Sequence, residues 1–504
     1  MKRRNFVQGT LGVGAFALVA QKVWAMPMHG AKHDMAAMDH SQHGMAMGKS
    51  TALMPLDKMP SGLPLAALPV LRNESRQPGV FKATITADET TLTLADRKPT
   101  KMWLYNGQVP GPQIVVNEGD TLEIRFKNNL PQPTTLHWHG LPVPADQDGH
   151  PMEPVEPGSE RIYRFTLAKD CAGTYWYHPH PHELVSEQVA KGLAGSLVVR
   201  SKTDPLAHLS EQHWLISDLR LDADASIPQN TMLDWMNGRE GQFVLINGQL
   251  NPNISLQGNE RIRIWNACAA RYLRLHIPNC QLVVVGTDGG LLEQPLAAQD
   301  DILLAPAERV EVVVLTKKAG TYSLLNRYYD RSKMMVKDQP IDSQLASVSI
   351  ANKRAELPTK LRSIKALIAP VAYKNIEFSE VMDHSNGMGM HHLKQMFRVN
   401  GKVFDMDRID ETSQEGVVEQ WRVFNNSHMD HPFHIHGTQF QVVSRILNKR
   451  EVAEPYVAWK DTINLKPYET IIFNVIHHGK GMRMYHCHIL EHETLGMMAN
   501  LEVV

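Results

Sequence analysis

Residues 482–492, MRMYHCHILEH, close the last of three loosely repeated copies of one unit. The first copy closes with GTYWYHPHPH from Gly173 and the second with GTYSLLNRYYD from Gly320. Further back stand TTLHWHG, RYLRLHI and HPFHIHG, each preceded by a strand-like run after a glycine: GDTLEIRFKN from Gly119, GNERIRIWN from Gly258 and GVVEQWRVFN from Gly416. A turn signal opens each copy: YNGQVPGP at Tyr105, INGQLNP at Ile246 and VNGKVFD at Val399. A repeat longer than about a hundred residues is a duplicated domain, not a solenoid unit. Alternating runs such as 121–126 and 310–315, punctuated by Gly, Pro and Asn, predict antiparallel strands. Helical periodicity is scarce, so the chain is expected to be all-β, with three β-sandwich domains. Their expected bounds are 65–201, 205–350 and 370–504, with a linker at 351–369 where the strand pattern lapses.

The chemistry lies at the end of the third copy. Cys487 stands between His486 and His488, with His492 and Met497 following. Two imidazoles, a thiolate and a thioether form the ligand set of a blue-copper electron-transfer site, the thioether being the weak axial ligand. On an extended backbone Cys487 points to one face and both flanking histidines to the other. One copper would bind on the thiolate side and further metals behind it, joined by a short covalent path.

Composition narrows the alternatives. The formal net charge of the 504 residues is −1 and no long basic run occurs, which argues against nucleic acid as a partner. At the start, Lys2, Arg3 and Arg4 precede Asn5-Phe6-Val7, an apolar run over 9–20 and Val23-Trp24-Ala25. That order reads as a secretory signal of the twin-arginine type, residues 1–25, cleaved after Ala25. The apolar run is too short to span a bilayer, so the expected product is a periplasmic protein with no membrane anchor. Residues 26–64 read as a flexible tail rich in Met and His. Of the four cysteines, Cys487 is assigned to copper, Cys268 and Cys280 could pair in an oxidising compartment, and Cys171 has no assigned role.

Paired histidines are confined to the first and third copies: His137 and His139, His178 and His180, His434 and His436, and His486 and His488. In the segment of the middle copy that corresponds to HWHG and HPFHIHG, RYLRLHI, His276 stands alone. Alternating residues on a strand share a face, so each pair can offer two imidazoles to one cluster between two domains. Together HWHG, HPH, HPFHIHG and HCHILEHETLGMM resemble the four copper-ligand motifs of three-domain multicopper oxidases, from about residue 100 to the C-terminus. The resemblance implies three cupredoxin-like Greek-key sandwiches and four coppers. His431, Cys487 and His492, with Met497 axial, would hold the blue copper. His137 and His434 would hold the type 2 copper. His139, His178 and His488 would hold one type 3 copper, and His180, His436 and His486 the other. It further implies one-electron oxidation of a donor at the blue copper and reduction of O2 to water at the cluster. Asp148 and Glu493 would supply protons, with Asp146 competing for the first role.

The 25 methionines point to the donor. The stretches MPMHGAKHDMAAMDHSQHGMAMGKS and VMDHSNGMGMHHLKQM set thioethers among His and Asp, and thioethers prefer Cu(I). The arrangement is similar to bacterial copper-efflux and copper-resistance oxidases. By that comparison Met429, with Met382 and Asp383, would form a labile Cu(I) substrate site, although Ser427 stands where a carboxylate is usual near the blue copper. The expected activity is cuprous oxidation in periplasmic copper detoxification by a monomer. Rival readings are a laccase-like oxidase of small phenols and aromatic amines, and a copper-sequestering protein.

Overall fold

A computed structural model describes residues 48, 51–354, 356–381 and 389–504. The expected signal, most of the Met/His tail, and Met382 and Asp383 lie outside the described residues.

Six sheets stack as three sandwiches. In the first, one sheet runs in the order Lys98–Tyr105, Val80–Ala95, Thr121–Asn128 and Glu160–Thr166, and the other Gly111–Asn117, Gly195–Arg200, Gly173–His178 and His137–His139. The second pairs a seven-stranded sheet centred on Glu260–Asn266 with a five-stranded sheet centred on Gly320–Asn326. The third pairs a six-stranded sheet, with Val418–Asn426 and Thr470–Ile476 at its centre, with a five-stranded sheet. That last sheet runs Glu411–Ser413, Met498–Val503, Gly481–Cys487, His431–Ile435 and Thr462–Leu465. Each sandwich encloses its own apolar core, around Phe126 and Trp138, Ile262 and Val312, and Phe433 and Phe473. Burial alternates along Thr121–Asn128, as one face of a sandwich strand requires.

The turn signals sit where the repeat places them. Asn106-Gly107, Asn247-Gly248 and Asn400-Gly401 all have positive φ at both residues, the conformation a tight type I′ hairpin turn demands and Asn-Gly tolerates. Two expectations need correction. The strands are not all antiparallel: Val80–Ala95 runs parallel to Thr121–Asn128, Ser210–Leu219 to Glu260–Asn266, and Ala372–Glu380 to Val418–Asn426. In each case the chain visits other strands before returning alongside its first one, and alternation along a strand carries no record of that detour. Residues 51–64 do not continue a loose tail either. Met54 and Met59 are buried with Leu104, Leu221 and Phe243, because this stretch is Leu- and Met-bearing rather than His- and Gly-rich. All four cysteines are free and buried, so Cys268 and Cys280 do not pair.

Candidate metal centre

The strand Gly481–Cys487 carries the decisive geometry. His486 lies opposite His434 on the neighbouring strand, and Cys487 lies opposite Phe433. Cross-strand partners share a face, so the thiol enters the third core while His486 faces the first sandwich. On the thiol side, His431 Nδ1 is 3.4 Å and His492 Nδ1 3.9 Å from Cys487 Sγ, and the two nitrogens are 3.3 Å apart. Each ring is held from behind through Nε2. His492 donates to the Met236 carbonyl at 3.2 Å, and His431 meets Glu380 Oε1 and Ser427 Oγ, both at 3.0 Å. Phe397 stacks on His492 at 4.0 Å. Met497 is fully buried in the same core, and its carbonyl accepts the Cys487 N–H at 3.0 Å.

Behind the strand, eight histidines from two sandwiches converge. His137 stacks on His436 at 4.0 Å and His139 on His434 at 3.7 Å, so the pairs of the two domains interleave. Ligand-type atoms of His139, His178 and His488 lie within 4.8 Å of one another, as do those of His180, His436 and His486, and those of His137, His139 and His434. His137 Nδ1 donates to the Asp148 carbonyl and His434 Nδ1 to the Asp461 carbonyl, both at 2.9 Å. Their Nε2 atoms, and both nitrogens of His488, are buried without a hydrogen-bond partner. Burial first, and then neighbouring imidazoles, hold His180, His434, His486 and His488 well below the ordinary imidazole range. Neutral rings with unused lone pairs, sealed from water, are a donor set that fits metal ions and is costly without them. A thiolate with two imidazoles on one side and imidazoles alone on the other suit copper.

Both expected proton residues touch this cluster. Asp148 is buried, with Oδ2 2.8 Å from His436 Nδ1 and Oδ1 3.5 Å from His137 Nδ1. Burial pushes its carboxyl up, but the two histidines outweigh that and hold it well below the usual carboxylate range. Asp146 is exposed. Glu493 sits between His180 Nε2 and His486 Nδ1, at 3.1 and 3.2 Å, and burial pushes its carboxyl well above its ordinary value.

Met429 is placed differently. Its side chain has no exposure and belongs to the third core with Phe378, Phe397 and Phe433, so it is not a surface methionine. Its polar neighbours in sequence suggested otherwise, but only Asn426 and His428 turn outward, while the buried Asn425 and Ser427 tie down its carbonyl. Sequence reasoning missed Glu380, Asp461, Arg309, Phe397 and the Met236 carbonyl. Only Glu380 had a signal, an acidic residue beside the Met-rich stretch when position 427 offered no carboxylate.

Family models described as multicopper oxidase match residues 86–204, 173–348 and 378–504. Among solved structures, a multicopper oxidase from Campylobacter jejuni described as a metallo-oxidase is 49% identical, covering 91% of this chain and 99% of that one with a TM-score of 0.89. A laccase from Pediococcus acidilactici is 32% identical over 90% of this chain and 96% of that one, with a TM-score of 0.76. A multicopper oxidase of Staphylococcus aureus is 32% identical over 410 residues, 79% of this chain and 83% of its own length. On these matches the chain belongs to the multicopper oxidases, copper-dependent oxidoreductases that take O2 as acceptor.

Proposed function

We propose that this oxidase draws its electrons from Cu(I), in copper detoxification in the periplasm after export by the twin-arginine route. His431, Cys487, His492 and Met497 would hold the type 1 copper, and His137 and His434 the type 2. His139, His178 and His488, and His180, His436 and His486, would hold the type 3 pair, four coppers in all. Bound there, copper supplies one-electron acceptance on the thiolate side and four-electron reduction of O2 to water among the histidines. The protein contributes the short covalent route from Cys487 into His486 and His488. Asp148 fixes the rings of His137 and His436. Glu493 holds a proton at its carboxyl beside His180 and His486, where it can be passed to reduced oxygen.

One observation carries the choice of donor. Glu380 is nearly buried and bridges the ligand His431, through Oε1 at 3.0 Å, to the half-exposed His428, through Oε2 at 3.0 Å. Burial would push its carboxyl up, but hydrogen bonds from His428 and His431 hold it down to about 2, so it is ionised. An anion with a surface imidazole, one hydrogen bond from the type 1 ligand, attracts a cationic donor and gives it ligands, whereas a neutral phenol gains only a hydrogen bond from it. Glu380 thus supplies from another strand the carboxylate that Ser427 lacks. Met382 and Asp383 follow it in sequence and are proposed to complete a labile Cu(I) site.

The test is oxygen uptake by the copper-loaded protein with chelator-buffered Cu(I), set beside a simple phenol without added copper, for the parent and Glu380→Gln. Fast Cu(I) turnover that falls in Glu380→Gln, with slow phenol turnover that does not, supports a cuprous oxidase. Strong phenol oxidation with poor Cu(I) turnover makes it a laccase-type enzyme.

A further inference from the structure

The strands Gly481–Cys487 and Met498–Val503 pair antiparallel, with His486 opposite Met498, Met484 opposite Asn500 and Met482 opposite Glu502. Opposed residues share a face and the face alternates along each strand. Met482, Met484 and Met498 therefore stand on the face of His486, away from the core that holds Tyr485, Cys487, Ala499 and Leu501. Every apolar position on that face of the two strands is a methionine. Their burial is graded: Met482 is partly exposed, while Met484 and Met498 are 1% and 2% exposed. Met406, also partly exposed, packs with Phe404 against both. His182, two residues beyond the cluster histidine His180, brings its ring to 5.1 Å from that of Phe404, and its Nδ1 is buried without a hydrogen-bond partner.

Buried methionine is ordinarily a flexible gap-filler. A filler has no reason to occupy every apolar position on the face that leads to His486, when Leu and Val serve at 501 and 503 on the other. Thioethers select Cu(I), and imidazole accepts either oxidation state. We propose that Met406, Met482, Met484, Met498 and His182 form a soft-ligand path by which Cu(I) enters from solvent and reaches the histidine cluster at His180 and His486. The ion travels as a monovalent cation, exchanging one donor for the next. No electron moves and no bond within the protein breaks. This path rests on the reading that the cluster holds copper, and it is separate from the Glu380 surface where donors deliver electrons.

The test loads copper-free protein anaerobically with chelator-buffered Cu(I), quenches at intervals, reoxidises, and reads the blue band against the type 2 electron paramagnetic resonance signal and total copper. Met484→Leu/Met498→Leu removes both sulfurs at nearly constant volume, a change cores tolerate. The expected result is unchanged filling of the blue site and cluster filling slowed by about tenfold or more, taking as a guide the metal affinity lost when supporting groups of a site are removed. Final copper content should match the parent, and Met59→Leu, in a different core, should load normally. Parent rates at both sites in the double variant would overturn the path. A parent cluster that takes no copper would overturn the copper reading and the path with it. A second measurement needs no variant: Ag(I), a soft monovalent probe, is titrated into copper-loaded protein carrying labelled methionine methyls. The Met406, Met484 and Met498 resonances should move while that of Met59 stays, and no movement at the three would count against the path.

Discussion

Arg309 of the middle sandwich grips Asp461 of the third with both arms of its guanidinium, Nη1 at 2.7 Å from Oδ1 and Nη2 on Oδ2, with both residues fully buried. Asp461 in turn sets two histidines of the cluster. Its Oδ1 lies 3.1 Å from His139 Nε2, which leaves Nδ1 of that ring for a metal, and its carbonyl takes the His434 Nδ1 proton, which leaves Nε2. One residue thus imposes opposite tautomers on rings from two domains. The middle sandwich, which offers no histidine to the cluster, takes part through Arg309.

Asp461→Asn keeps the shape but removes the charge that Arg309 neutralises. Partners of this kind typically carry about 10- to 100-fold in metal affinity. The expected outcome is loss of cluster copper under mild chelation with the blue band retained, read by copper content and by the type 2 signal. Arg309→Met should act on the whole fold, because it leaves Asp461 buried and unpaired, at a cost of about 3–5 kcal/mol. Urea unfolding of the copper-free protein measures that cost, and an unshifted midpoint would show the pair to be dispensable.

Gly140 follows the HWH ligands with φ of +84°, and an added Cβ would run into the Asp461 carboxylate and come within 2.6 Å of Arg309 Nη2. Gly140→Ala therefore combines a left-handed backbone with a collision against a buried ion pair that has nowhere to move. It should destabilise by more than the roughly 1 kcal/mol of backbone strain alone and lower cluster copper. Gly107→Ala offers the comparison, since its positive φ meets nothing within 4 Å. Only the strain term should appear there, seen as a small shift in thermal midpoint.

The histidine and cysteine groups that the structure brings together were legible in the sequence because each motif is local. A histidine pair two residues apart reports its shared face whatever the rest of the chain does, and Cys487 between two histidines reports the opposite face. What positions those ligands is tertiary and left no such mark. Asp461 reaches His434 only because Thr462 pairs with His434 across strands, and it reaches His139 only because two domains meet. Glu380 reaches His431 from the end of a different strand. Met429 misled for the same reason, since polar neighbours in sequence do not say which way the backbone turns the thioether.

Contact with the cluster histidines separates Asp148 and Glu493, the residues proposed to supply protons, from the exposed Asp146. Asp148→Asn and Glu493→Gln remove ionisable groups that touch cluster histidines but keep the hydrogen-bonding shape. Positioned acids and bases typically contribute about 100-fold or more. Reoxidation of the fully reduced protein by O2, followed in stopped flow, should slow by about that factor, while reduction of the blue site by its donor stays unchanged. Asp146→Asn should alter neither step. A slowed blue-site reduction in Asp148→Asn would show that the substitution had disturbed the whole centre.

His477 gives the acid limb of stability a identifiable contributor. Its ring is buried beside Trp421, neither nitrogen has a hydrogen-bond partner, and burial, reinforced by Arg483, lowers its pKa to about 3. The unfolded chain protonates this ring near pH 6.5, whereas the native protein does not until far lower pH. Between those values the unfolded state binds the extra proton, so native stability is lost as pH falls through this window, by about 1.4 kcal/mol per unit for one such group. His477→Leu removes that proton from the balance while filling the space with apolar volume. From pH 6.5 to 4.5 the variant should lose about 2–3 kcal/mol less unfolding free energy than the parent, measured by urea denaturation of the copper-free proteins. Parallel curves for the two proteins across that range would mean that His477 is already protonated in the native state, which its apolar burial opposes.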